Sequence, residues 1–290
     1  MSVVGYHASH EQHPPSRLLE CAVRAEGAGF TAVSSSDHFT PWSGRQGESG
    51  FAWSWLGAAM HATSVPFGVV NAPGQRYHPA IIAQAAATLA QMFPGRLSVA
   101  LGSGEASDEH ITGGGWPPKP ERNARLLACV EVIRALLRGE EVSADGPVTV
   151  DRARLWTLPV EAPALIGAFR DGGGGDKPVR VQVKVAWAPT EDEALAGAHD
   201  QWRTNVFDSV LMADLETVAQ FEAAAVHVQP DDVRASVLVS SDPKQHAAWL
   251  HEVLDLGVDD LFVHQVPREQ ERFIDVFGAD VLPDVTGVAG

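Results

Sequence analysis

The sequence is poor in the residues that staple or tether a chain. It has two cysteines in 290 residues, Cys21 and Cys129, with no CxxC pair. A disulfide framework and a zinc ribbon are both excluded on that count. Both thiols fall within apolar helical patterns and read as reduced core residues, which suits a cytoplasmic protein. No apolar run approaches the roughly 20 residues that a membrane helix needs. MSVVGYHASH, the first ten residues, lacks the basic-then-apolar pattern of a signal peptide. Positive charge is also scarce, with 21 Lys and Arg against 37 Asp and Glu and a formal net charge of -16. A nucleic-acid partner needs a basic footprint, so none is expected. The same field would repel anionic ligands unless a local group of donors offset it.

Several chemical signatures are missing too. GYHASH does not supply the GxGxxG of a dinucleotide fold. No GxSxG elbow or Cys–His pair is present to support nucleophilic hydrolysis. His7, His10 and His13 are spaced neither as HExxH nor as a zinc module, and no metal is expected.

What the sequence does contain is alternation. SVVGYHA, FTAVSSS, VPFGVVNA and RLSVALGSG read as strands. Between them lie helical patterns, from SRLLECAVRAEGAG, with Ser16 as N-cap and Gly29 past its end, to PAIIAQAAATLAQMF, which opens on Pro79. RNARLLACVEVIRALLRG is a long amphipathic helix closed by Gly139, and PVTVDRARLW reads as a hairpin. PALIGA, VRVQVKVAWAP and DLFVHQ are later strands, with helices near 190–205 and 243–256 and a last one in EQERFIDVFGADV. Continuous apolar strands, each followed by a helix, imply a parallel sheet covered on both faces. Seven or eight such units favour an α/β fold of the (β/α)8 TIM-barrel type, in one domain over residues 1–290.

One junction does not fit. Between PALIGA and KPVRVQVKV only FRDGGGGD intervenes, too short for the crossover of about ten residues or more that parallel neighbours require. One βα unit is missing after residue 168. Either it is truly deleted, with ASVLVSS as the segment to repair the barrel, or it belongs to an ordinary barrel and simply lies outside this sequence. An opened barrel would expose unpaired strand edges, which favours the second reading.

In such a barrel the active site lies at the C-terminal strand ends. Strand one ends in His7, Ser9, His10 and Glu11. Strand two runs into SSSDHFTPW, with Asp37, His38 and Trp42. Strand three ends in Asn71, strand four in Gly102, Ser103, Gly104 and Glu105, and the last strand in His264 and Gln265. An imidazole beside a carboxylate suits proton transfer near neutral pH. Trp42 could wall a flat cofactor or substrate, or be a loop aromatic. Glycines at 102 and 104 let backbone N–H groups and Ser103 approach a phosphate, with Glu105 as acid or base. Lys184, mid-strand in VRVQVKVAW, should meet an anion or a carboxylate. Glu105 with Glu11 also admits a carboxylate-pair glycosidase.

These stretches together resemble the luciferase-like flavin and deazaflavin oxidoreductases. The resemblance runs through GYHASHEQ, SSDHFTPW, RYHPAIIAQAAATL, PGRLSVALGSGEA, RLLACVEVIRALLRG, VQVKVAWAPTEDEAL and DDLFVHQVPREQERFIDVFGADVLP. It is strongest to the deazaflavin-dependent glucose-6-phosphate dehydrogenase branch. It implies a TIM-like barrel with the ring of FMN or coenzyme F420 at the strand ends, and a homodimer. By motif, His38 resembles the family's catalytic His, either proton acceptor or stabiliser of the intermediate. Trp42 resembles the aromatic beside the ring, and Glu105 the acid for the ring proton. Asp37, Ser103 and Gly104 resemble cofactor contacts. Glu11 resembles an acid near the substrate. A bulged third strand, often with a cis peptide, would fall at Val69 and Val70, with Asn71 after it. Of the basic residues resembling the family's sugar-phosphate clamp, Lys184 is present, Ala235 stands at the second position, and the third falls in QERF, on either Glu271 or Arg272. Glucose 6-phosphate is therefore not the expected substrate. The expected activity is hydride transfer between the cofactor and a small hydroxyl or carbonyl compound. The alternatives are an FMN-dependent monooxygenase and a flavin-binding barrel without turnover.

Overall fold

A computed structural model describes residues 3–161, 164–166 and 179–287 of the chain. Ten strands are present among them: β1 (Val3–Ala8), β2 (Ala32–Ser36), β3 (Phe67–Asn71), β4 (Leu97–Leu101), β5 (Val142–Ala144), β6 (Val150–Ala153), β7 (Ala164–Ile166), β8 (Arg180–Ala186), β9 (Leu238–Val239) and β10 (Asp260–Gln265). Eight form one parallel sheet in the order β7-β4-β3-β2-β1-β10-β8-β9. β5 and β6 make the expected antiparallel hairpin.

The helices between the strands follow from sequence. α1 (Pro15–Gly27) turns Leu18, Cys21, Ala22 and Ala25 inward at helical spacing. Its N-cap is Pro14 rather than Ser16, because Pro15 takes the first-turn position where its missing N–H costs nothing. α2 (Ala52–Ala62) ends at a clamp described below. α3 (Pro79–Met92) starts on His78, whose ring accepts the Ala80 N–H. Next come the short α4 (Ala106–Glu109) and the long α5 (Lys119–Leu137). α6 (Glu191–Trp202), α7 (Ser209–Asp214) and α8 (Val218–Ala224) follow β8. α9 (Pro243–Asp255), α10 (Glu271–Val276) and α11 (Leu282–Thr286) close the chain. α7 and α8 had no counterpart in the sequence reading. They are only six and seven residues long, too short for a helical period to declare itself.

The sheet order is that of a TIM-type barrel, with β10 returning to β1 in register from Val3↔Asp260 to Tyr6↔Val263. Among the described residues β7 and β9 are not hydrogen-bonded to each other, so the sheet stays open between them. The junction after residue 168 and the glycine run 172–175 lie outside the described residues. Its two ends are nonetheless informative. β7 pairs with β4, while β8 pairs with β10 on one side and β9 on the other. β9, from the ASVLVSS segment, thus covers the β8 edge that would otherwise face the gap.

The expected bulge and cis peptide of the third strand are not found. β3 pairs in unbroken register with β2 and with β4 through Val69 and Val70, and the described residues contain no cis peptide bond. Strand alternation instead sets the two valines on opposite faces. Val69 is 1% exposed in the core between sheet and helices, whereas Val70 is 50% exposed.

Candidate active site

Two adjoining cavities open where the sequence placed the site. One, of about 220 Å³, is lined by Asp37, His38, Val70, Asn71, Arg76 and the 102–105 turn, among others. The second, of about 330 Å³, is lined among others by His7, Glu11, Trp42, Lys184, Trp202 and His264. His38, Val70 and Glu105 line both, so they stand at the junction. The residues expected to serve catalysis, cofactor or substrate all line one cavity or the other except Val69, whereas the strand-end residues Ser9, His10 and Gln265 line neither.

His38 sits at that junction between carboxylates. Its Nδ1 lies 2.9 Å from Glu11 Oε1, and its Nε2 lies 3.9 Å from Asp108 Oδ2. Polar atoms of His38, Glu105 and Asp108 all lie within 4.8 Å of one another. Burial pushes the imidazole toward neutrality, but Asp108, Glu11 and Glu105 together outweigh it and raise the pKa to about 10. The ring therefore carries a proton at neutral pH. Glu11 is its counter-ion. Burial alone would raise the Glu11 pKa, yet His38 and hydrogen bonds from Ser36 Oγ and Ser9 Oγ, each 2.6 Å, hold it well below the ordinary carboxylate range.

Glu105 behaves in the opposite way. Burial raises its pKa, and His38 and the Trp42 Nε1–H donated to Oε2 at 3.3 Å only partly oppose this. One site thus holds one acid whose pKa is driven down and another whose pKa is raised, both beside His38, the separation of roles by environment that acid–base chemistry uses. Glu105 owes its direction to Gly104, whose φ of 81° turns the chain back after β4. A side chain at 104 would also press within 3.0 Å of Glu109.

Trp42 stands edge-on to His38, with ring centroids 4.5 Å apart, and packs in turn against Trp202. Asp37 is held rather than free. Asn71 Nδ2 donates to its Oδ2 at 2.7 Å, Arg76 Nη2 donates to its backbone oxygen at 2.6 Å, and Tyr77 Oη reaches Oδ1 at 3.4 Å. Burial raises its pKa nevertheless. Ser103 Oγ accepts from Lys119 Nζ at 3.0 Å, which places a cation at the glycine turn. A Cβ at Gly102 would touch no protein atom, so the space beside it is cleft.

The far wall of the larger cavity comes from β8 and β10, where Lys184 and His264 are register partners. His264 is neutral, its pKa driven well down by burial and then by His7 and Lys184. Its Nε2 meets Gln12 Oε1 at 2.7 Å and its Nδ1 meets Gln182 Nε2 at 3.3 Å, which together define an Nε2–H tautomer. Lys184 lies over the Trp202 ring at 5.8 Å and pairs with no carboxylate among the described residues. Burial lowers its pKa. Ser236, next to Ala235, lines the cavity in place of a second cation, and Arg272 lies elsewhere, over Trp187.

Sequence reading missed Asp108, Arg76, Trp202 and Gln12. Asp108 follows Glu105 by three residues in GSGEASDE, a helix-start spacing that could have flagged it. Nothing in the chain order marks Trp202, which reaches the cavity from the end of α6.

Residues 2–173 match the family described as luciferase-like monooxygenase. The chain belongs to that luciferase-like family. More particularly, it is 31% identical to an F420-dependent glucose-6-phosphate dehydrogenase of Nakamurella multipartita, over 99% of this chain and 97% of that protein. It is 32% identical to one of Kribbella flavida, with 97% of each covered. These alignments run over 330 and 327 positions against a chain of 290, so the relatives carry positions with no counterpart here. A solved F420-dependent secondary alcohol dehydrogenase, in complex with an F420–acetone adduct, superposes with a TM-score of 0.90 at 28% identity, covering 98% of this chain and 99% of that one. The F420-dependent tetrahydromethanopterin reductase of Methanopyrus kandleri shares the fold, with a TM-score of 0.75 at 19% identity over 97% and 99% of the two chains.

Proposed function

We propose that the protein is a coenzyme-F420-dependent oxidoreductase acting on a small hydroxyl or carbonyl compound. The observation that carries this reading is His38, a protonated imidazole at the junction of two cavities, between Glu11 and Glu105. F420 is preferred to FMN because the relatives at 28% identity and above are named for F420. The 220 Å³ cleft suits a flat ring: Val70 presents an apolar surface, and Gly102 and Gly104 leave the backbone bare. When bound there, the deazaflavin supplies or takes up hydride.

The chain's own residues do the rest. His38 holds a proton at Nε2 beside the larger cavity and can give it to a substrate carbonyl oxygen, which becomes the hydroxyl. In the oxidation direction the His38 imidazole first releases its proton to solvent through the open cavity and then accepts the one from the substrate hydroxyl. Of the two roles the resemblance implied, the charge pattern therefore supports oxygen stabilisation and proton donation first. Glu105, whose pKa burial raises, lines both cavities and would serve as the acid for a ring proton. Trp42 and Trp202 wall off water and favour a compact apolar substrate body. With Lys184 as the one lysine or arginine lining the larger cavity among the described residues, a sugar phosphate has half a clamp at most.

Three further properties belong to this proposal. The chain acts as one domain, supported by β10 closing onto β1. It forms a homodimer, supported by the outward Ile81 and Met92 of α3, each 54% exposed. It works in the cytoplasm, supported by its free, buried Cys21 and Cys129.

Titration of the purified protein with F420 and with FMN, followed by fluorescence, tests the cofactor assignment. Saturable binding of F420 that FMN does not match is the expected result. Binding of neither cofactor would end the oxidoreductase reading, and FMN binding with oxygen consumption would favour the monooxygenase.

A further inference from the structure

The turn that carries His38 has no regular structure of its own. Residues 37–42 leave β2 and cross the cleft as an irregular segment, so something must hold it. Asp108, on α4, is buried and reaches it from the β4 side. Its Oδ1 accepts the backbone N–H of Phe39 at 2.7 Å and that of Thr40 at 3.1 Å. Its other oxygen faces His38 Nε2 at 3.9 Å. One carboxylate therefore touches the backbone just after His38 and the far side of the His38 ring.

We propose that Asp108 is a positioning residue for His38: one oxygen clamps the loop behind the imidazole, and its negative charge keeps the proton on the ring. The two jobs need different properties of the side chain. The clamp needs only an acceptor oxygen, which an amide also has. Proton retention needs the charge. The charged groups around His38 divide accordingly. Glu11 approaches Nδ1 from the loop after β1, Glu105 comes from the end of β4, and Asp108 from α4. His7 and His10, on β1 and the loop after it, are held neutral by burial, with pKa values of about 3 and about 4. Lys184 on β8 lines the same cavity and lowers the pKa of His7 and His264. Of the carboxylates, Glu11 is engaged with Ser9 and Ser36, and Glu105 is pushed toward its neutral form by burial. Asp108 is thus the acid that faces Nε2, the atom that would meet substrate.

The test compares Asp108→Asn with Asp108→Ala, following the His38 imidazole by NMR in the protein without cofactor and assigning its signal by loss in His38→Gln. In D108N the clamp survives and the charge is gone. The His38 midpoint should fall by about 1–3 pH units, the range expected when an opposite charge at this distance is removed. Trp42 emission, a reporter of the loop, should stay as in the parent. In D108A both properties are lost: the midpoint falls and Trp42 emission shifts. A midpoint unchanged in D108N would overturn the charge role, since a merely structural residue would alter stability alone. Unchanged Trp42 emission in D108A would overturn the clamp. Neither readout uses substrate or turnover, so the result is distinguishable from failure of the activity proposed above.

Discussion

At the residue scale, His38 and Glu11 act as a unit. Glu11 is buried and His38 partly so, and their two charges are compensated by each other and by two serine hydroxyls. His38→Ala should leave F420 binding intact and cut turnover by about 10² or more, the effect of losing a positioned proton donor. Steady-state kinetics beside a cofactor titration would check this, and unchanged activity would remove His38 from the chemistry. The same substitution leaves Glu11 as an unpaired buried charge, so the variant should also melt earlier than the parent. Asp37 and His38 were both legible as candidates because an acid and an imidazole ended an apolar strand. Their different states were not legible. Asp37 is bound into a network with Asn71 and Arg76, while His38 is charged by acids drawn from beyond β1, beyond β4 and from α4, and no local string shows either.

At the scale of elements, the site depends on how α2 is joined to the sheet. Arg96, just before β4, donates to the carbonyl oxygens of Met60, Thr63 and Val65 at 2.8 to 3.1 Å. Its own carbonyl accepts the Phe67 N–H at 2.7 Å. Arg96 thus caps the Met60 and Thr63 carbonyls at the end of α2 with its guanidinium and, through its backbone carbonyl, joins the start of β3 to β4, whose ends carry Val70 and Glu105. Arg96→Ala should cost about 2–3 kcal/mol, the worth of a charged donor in this setting. Lysine should not restore it, because an ammonium lacks the planar fork. Denaturation midpoints of the two variants would decide. Strand and long-helix identities along 3–139 followed from periodicity and end signals, whereas the four-residue α4 did not. The fate of the short junction did not, since β9 is two residues long and gains its meaning from lying beside β8.

For the whole molecule, the buried histidines predict how stability follows pH. Burial holds His7 at about 3 and His10, His13 and His246 at about 4, against an ordinary value of 6.5. In the unfolded chain these rings protonate as the pH falls through 6.5, but in the folded chain they resist. The unfolded state then binds more protons, so stability drops on acidification between about 6.5 and 4. His38 works in the other direction. Its raised pKa stabilises the fold below 6.5, and that contribution fades as the pH climbs through about 10. Melting temperature should therefore decline from pH 7 to pH 5, before most carboxylates titrate, and decline on the alkaline side from about pH 7 to pH 10 as His38 loses its proton. A flat profile from 7 to 5 would mean that these rings are solvated in the native state.

The sequence by itself determined the architecture and the rough location of the site. Alternating apolar strands and helices admit few solutions, and a parallel barrel exposes its strand ends on one side, so polar residues at those ends had to converge. Tertiary structure alone decided which of them touch. Val69 and Val70 are neighbours in sequence but lie on opposite faces of β3, and only Val70 meets the cleft. Asp108 and His38 are 70 residues apart in sequence, and their nitrogen and oxygen stand 3.9 Å apart in space. Charge, proton affinity and clamping arise from burial and distance between elements. Those quantities exist only once the chain has closed on itself.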